Sequence, residues 1–151
     1  MRIKFRAWDI RKNVMREVVV IHFNEASNVS GASYWSEDME LKSLHGNYIK
    51  LMQYTGLKDS NGVEIYEGDV VLRKGKMYTI IFEIGSFMLS PIDDVDMDDE
   101  FINCWNDHVY PLSQLYFENG DLEDILSDLT IVGNIYENKA LLGEINGISK
   151  I

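Results

Sequence analysis

The sequence predicts a mainly β fold with short helices: a small barrel or meander behind an N-terminal β-hairpin region. Three observations predict it. Ile3, Phe5 and Ala7 alternate with Lys4, Arg6 and Trp8, the two-residue period of a half-exposed strand. Between residues 51 and 89, short β-branched and aromatic runs are separated by glycine-bearing turns, at the spacing of a small all-β domain. The clearest helical spacing, at Leu122, Ile125, Leu126 and Leu129, spans only about two turns.

Each element follows in order. Residues 3–7 form a strand, 9–13 a polar turn, and the β-branched run 15–23 the return strand of a hairpin. Residues 24–33, rich in Ser, Asn and Gly, read as loop. Residues 34–48 fit either a broken strand or a short helical turn. Residues 51–55 form a strand, and Asn61-Gly62 supplies the positive φ of a tight turn. Gly68 bends the chain again and is expected to have positive φ. Strands at 70–72 and 77–82 flank the turn 73–76, and a further strand at 87–89 follows the turn 84–86. Residues 109–117 read as extended, with Pro111 at an edge or strand start. A helix follows over 122–129, then a closing strand 130–136 bent at Gly133. One helical turn is expected near 138–142, and a frayed tail over 143–151. This divides the chain into a hairpin and variable segment (1–50), a β-barrel core (51–142) and a tail (143–151). Leu51, Tyr54, Ile65, Val70, Leu72, Ile80, Phe82, Leu89, Ile131 and Ile135 are the expected core.

Composition narrows the function classes. The 151 residues, 46% apolar and 26% charged, suit a folded domain with its own core. No apolar run approaches the roughly 20 residues of a transmembrane helix, and the start lacks the apolar block of a signal peptide. The single cysteine, Cys104, allows no internal disulfide, so the reducing cytoplasm is the expected compartment.

The net charge of −11 disfavours a nucleic-acid or anionic-lipid coat and hides a strong segregation. Residues 1–16 hold Arg2, Lys4, Arg6, Arg11, Lys12 and Arg16 against Asp9 alone, a balance of +5. From Met77 to Asn138 there are fourteen acids and no Lys or Arg. The densest acidic run, 93–100, is expected to be an exposed loop, because burying an unpaired carboxylate costs several kcal/mol.

Three motifs carry a resemblance. The run 4–9, Lys-Phe-Arg-Ala-Trp-Asp, resembles the opening of the YopX family of bacteriophage and prophage proteins. The run 51–59, Leu-Met-Gln-Tyr-Thr-Gly-Leu-Lys-Asp, resembles that family's central motif, continued by Asn61-Gly62 and by Glu64-Ile65-Tyr66-Glu67-Gly68-Asp69-Val70-Val71. The closing signature is matched by Val132-Gly133-Asn134-Ile135-Tyr136-Glu137-Asn138 with Leu141-Leu142, although Lys139 stands where a proline is usual. The resemblance spans Lys4 to Leu142. It implies a phage-encoded, intracellular, β-rich protein that assembles as a homo-oligomer, and it implies no reaction. The Glu67-Gly68-Asp69-Val70-Val71 step also resembles the strand entry of SH3-like barrels, an analogy of fold that transfers no function.

No catalytic, cofactor or metal site is expected. Asp94, Asp96 and Asp98 alternate like EF-hand ligands, but Asp99 and Trp105 stand where Gly and Glu are required. His22, His45 and His108 lack ligand spacing, and the pair Cys104 and His108 is too few for zinc. Cys104 with a histidine lacks any thiol-enzyme signature, and surrounding acids would raise its pKa. The glycines at 56, 62, 68, 75 and 85 fall in turns rather than in a phosphate loop. Two binding readings stand beside an accessory or assembly role. The basic hairpin with Phe5 and Trp8, helped by Arg73-Lys74-Gly75-Lys76, suits nucleic acid, while the acidic span suits a DNA-mimicking contact with a host protein. Self-association through hairpin 1–16, with Phe5 and Trp8 supplying apolar contact, is the favoured partner reading.

Overall fold

The structure, a computed structural model, describes residues 2–92, 109–119 and 123–139. The acidic run 93–100, Cys104, His108, Leu122 and the tail 143–151 lie outside the described residues. The chain divides into two compact units, Met1–Tyr54 and Thr55–Ile151. No described helix is long and apolar enough to cross a membrane.

The first unit is built on β1 (Phe5–Asp9), β2 (Val14–Phe23), β3 (Val29–Trp35), β4 (Leu41–His45) and the start of β5 (Ile49–Lys58). These strands lie in the order β4-β3-β2-β1-β5, all antiparallel. The hairpin β1–β2 is as the two-residue alternation requires, and β1 is a middle strand: Ala7 faces Arg16 on one side and Leu51 on the other. The expected loop 24–33 is shorter. The Asn24 side chain accepts from the Ala26 and Asn28 backbone N–H groups, closing a tight turn that lets β3 begin at Val29. The ambiguous 34–48 stretch contains the end of β3, then β4 and a 3-10 turn, Gly46–Tyr48.

The register shows that this sheet is strongly coiled. His45 is level with Gly31 and His22, whereas Ile49 is level with Asp9 and Val14. In a flat sheet those levels would lie roughly 20 Å or more apart along the strands. Four peptide steps join His45 to Ile49, a reach of about 14 Å. The sheet therefore curls around Ala7, Ala32 and Ile49, with Val18, Leu44 and Leu51 packed against them. Two alanines at the centre let the strands approach closely.

In the second unit, β6 (Glu64–Tyr66) neighbours the last part of β5. A five-stranded sheet follows in the order β10-β9-β8-β7-β11, built from β7 (Asp69–Arg73), β8 (Lys76–Glu83), β9 (Ser86–Pro91), β10 (Tyr110–Pro111) and β11 (Thr130–Asn134). Both central residues of the β7–β8 turn, Lys74 and Gly75, have positive φ, as do Ile84 and Gly85 between β8 and β9. That is the mirror-image turn whose twist matches a hairpin. Ile65, Val71, Tyr78, Ile80, Leu89, Leu112, Leu115, Leu126 and Leu129 form the buried core. The mainly β expectation holds, as an open meander: among the described residues no ladder joins β10 to β11.

Two elements differ from expectation. Residues 109–117 are extended only at Tyr110 and Pro111, and Leu112–Asn119 is a helix, α1. Leu112 and Leu115 recur at helical spacing and are buried. Pro111 directly precedes the first turn, where a missing N–H costs little. The expected helix is instead a strap over its described part, 123–129. Ile125 bridges Lys58 in parallel, and the Leu126 N–H donates to the Lys58 carbonyl. Leu126 and Leu129 are fully buried without a helix, so their spacing reflects two insertions into the core.

Of the expected core, Tyr54, Ile65, Val70, Ile80 and Leu89 are buried, while Leu51, Ile131 and Ile135 are half-buried. Leu72 and Phe82 are exposed. Phe82 pairs edge-on with Phe87 at the outer end of the β8–β9 hairpin, ring centres 4.7 Å apart. Gly68 has φ 91°, as expected.

Candidate functional site

The motif residues serve the scaffold. Asp59 is 1% exposed. One of its carboxylate oxygens accepts from the Asn61 and Val63 N–H groups, and the other from Ile131 N–H at 2.9 Å, tying the 59–63 turn to β11. Buried Asp69 accepts from Tyr66 N–H at 2.8 Å across the Gly68 bend. Gly68 itself donates to the Ile80 carbonyl and accepts from Ile135 N–H. In the closing motif, Asn134 Oδ1 accepts from Tyr136 and Glu137 N–H, while Asn138 Oδ1 accepts from Asn134 N–H. A Cβ at Gly133 would lie 2.6 Å from that Asn138 oxygen. In the opening motif, Asp9 accepts from Arg11 and Lys12 N–H and pairs with Arg16 at 3.2 Å. Each of these buried carboxylates accepts from the chain's own groups, as burial demands.

The strongest chemical grouping lies elsewhere, in the first unit. Ser33, buried on β3, lies 2.9 Å from His22 Nε2 on β2 and 2.6 Å from Ser43 Oγ on β4. A base and two hydroxyls in a row is an arrangement that sequence spacing concealed, because the residues meet only through strand pairing. His22 and Ser43 are exposed, and the row braces three strands. His45 turns away: its Nδ1 accepts from Asn47 N–H, and its ring meets Tyr48 edge-on. Among the described residues no group of three or more His, Cys, Asp and Glu is placed to hold a metal.

Shallow grooves occur among the described residues. One, of about 280 Å³, lies between β1 and β2 beside Phe5, Glu17 and Val19. Another, of about 370 Å³, lies between α1 and the β8–β9 turn, lined by Leu57, Phe87, Tyr116 and Phe117. The first also has Lys4 on its wall, and the second is lined mainly by apolar and aromatic side chains. Burial, and then the neighbouring Glu67 carboxylate, raise the Tyr136 hydroxyl above its usual range.

Surface charge separates the units. Met1–Tyr54 carries eight Lys and Arg against six Asp and Glu, and Thr55–Ile151 six against nineteen, so the balances are +2 and −13. Several hairpin cations are engaged: Arg16 with Asp9 and over the Tyr34 ring, Lys4 over Tyr54, and Arg11 over Tyr48. Arg73 is likewise held by Asp128 at 2.9 Å. Trp8 is buried and Phe5 half-buried, so Trp8 has no face to offer a partner. The apolar surface lies instead at Val19, Val20, Phe23, Trp35 and Leu41 of the same unit.

Comparison with known proteins agrees with the motifs. A family model described as YopX protein matches residues 4–143. A crystal structure of protein EF1440 from Enterococcus faecalis is similar at 25% identity and a TM-score of 0.58. The match covers 94% of this chain and 99% of that one. No curated protein matches the chain.

Proposed function

The chain belongs to the YopX family, and we propose that it is a phage- or prophage-encoded, non-enzymatic accessory or assembly protein that acts as a homo-oligomer in the host bacterial cytoplasm. The observation that carries this reading is how the motif residues are used. Asp59, Asp69, Asn134 and Asn138 each accept from the chain's own backbone, so the motif residues serve the scaffold and the surface is left to act by association. Supporting it are the opposite charge balances of the two units and the apolar side chains exposed on the first.

Light scattering of the full chain tests the proposal, and a monomer at high concentration overturns it. Deleting residues 1–16 is unsuitable, because it removes the middle strand β1. Reversing Arg11 and Lys12, both in the exposed turn, should weaken assembly if the basic hairpin contributes. Raising salt to about 1 M, where the Debye length is about 3 Å, should weaken it too.

A second reading rests on the Lys- and Arg-free span 77–138: an acidic surface that occupies a host nucleic-acid-binding protein. Affinity capture from the infected host separates the two. Recovery of a basic host protein in stoichiometric amount favours the second reading, and recovery of the chain alone favours the first.

A further inference from the structure

We propose that the outer edge of β4 is a self-association surface, on which β4 of a second copy pairs antiparallel across a two-fold axis. The inference rests on the reading of the chain as self-assembling, and specifies where and how. β4 is the last strand of its sheet, and among the described residues no backbone group pairs with its outer side. Leu41, Lys42, Ser43 and His45 are exposed. Such an edge presents a row of N–H and C=O groups, a template for another strand. Natural edges are usually blunted by short strand length, proline, a bulge or charged side chains, lysine above all. β4 has no proline, its register with β3 is unbroken, and Lys42 is its only fully charged residue.

The two ends of β4 carry opposite charge. The turn before it, residues 36–40, holds exposed Glu37, Asp38 and Glu40. After it come His45 and Tyr48, with the Arg11 guanidinium 5.1 Å from the centre of the Tyr48 ring. Antiparallel pairing centred on Ser43 sets Leu41 opposite His45 of the second copy. It carries the acidic turn of each copy toward Arg11 of the other. A uniformly acidic strand would be repelled by the turn, and a uniformly basic one by Arg11. A second copy presents both charges in inverse order by symmetry alone. Trp35 and Leu41, paired across β3 and β4 and 55% and 52% exposed, flank the same edge and add apolar area.

The test is site-specific cross-linking of the full chain in which the single native cysteine is replaced (Cys104→Ser). Directly opposed residues across an antiparallel pair have Cβ atoms about 5 Å apart. Ser43→Cys should therefore form a disulfide dimer under mild oxidation, while Glu25→Cys, in the exposed 24–28 turn, should not. Arg11→Glu should weaken the dimer about tenfold or more, and adding Asp38→Lys should restore it. Circular dichroism confirms that each variant is folded. An oligomer by light scattering, with Ser43→Cys no more cross-linked than Glu25→Cys, overturns edge pairing and leaves self-assembly standing. Failure of Asp38→Lys to rescue Arg11→Glu overturns the charge register. A monomer at every concentration overturns both this inference and the assembly reading.

Discussion

The two units of this chain solve the packing problem differently. Thr55–Ile151 gathers nine buried residues into one core and uses Asp59, Asp69 and Asn134 to hold its turns from inside. Met1–Tyr54 centres its coiled sheet on Ala7, Ala32 and Ile49, and leaves Phe23, Trp35 and Leu41 largely in solvent. Large apolar side chains on the surface of a small sheet add nothing to its own core, and they suit a unit that meets something else. Among the described residues, ten of the sixteen exposed large hydrophobics belong to the first unit. Its charge is also nearly balanced, whereas the second unit is strongly acidic.

The comparison breaks or sharpens at particular residues. The largest expected effect is in the second core: Ile80→Ala should cost about 2–5 kcal/mol, read from denaturant unfolding. A cost below about 1 kcal/mol would mean that this core is not the centre of stability. Asp59→Ala should follow, at about 2–4 kcal/mol, since three backbone N–H groups lose the buried carboxylate that accepts from them. Asp59→Asn should recover part of that cost, because an amide oxygen can still accept. Gly68→Ala should cost about 1–2 kcal/mol, because φ is 91° and both backbone groups are bonded. In the first unit the sign of the comparison changes. Trp35→Ser should leave monomer stability within about 0.5 kcal/mol yet reduce self-association, seen by light scattering. A stability loss as large as that of Ile80→Ala would show that Trp35 belongs to a core after all.

The smallest effect is a pH dependence in the second unit. The folded Tyr136 hydroxyl titrates above its unfolded value of about 10. Between the two values the unfolded chain has already released the proton that the folded chain keeps, so stability falls as pH rises through that window. Tyr136→Phe should flatten the alkaline unfolding slope, and Glu67→Gln should lower the Tyr136 midpoint measured by phenolate absorbance. An unchanged slope in Tyr136→Phe would assign the alkaline loss to other tyrosines.

Legibility followed sequence distance. The β1–β2 hairpin, the glycine turns at 62, 75 and 85, the bend at Gly68 and the closing strand with its break at Gly133 were all readable, because a few neighbouring residues decide each. The helix at Leu112–Asn119 and the strap at 123–129 were not, since a spacing of three or four marks two buried side chains whether the backbone between them is helical or looped. Leu72 and Phe82 look like core residues by type, and only their positions near the strand ends left them outside. The relay from His22 through Ser33 to Ser43 was equally hidden, as it crosses three strands.

The sequence by itself determined the mainly β class, the turn positions and the family, since backbone preference and motif identity are local properties. Tertiary structure alone decided that Asp59 bonds to Ile131, 72 residues away, and that the first sheet coils around two alanines. It also decided that Trp8 is buried while Trp35 is not. Those outcomes depend on which faces meet. That choice is made by burial and hydrogen-bond energies summed over elements far apart in the chain, a sum that no short stretch of residues contains.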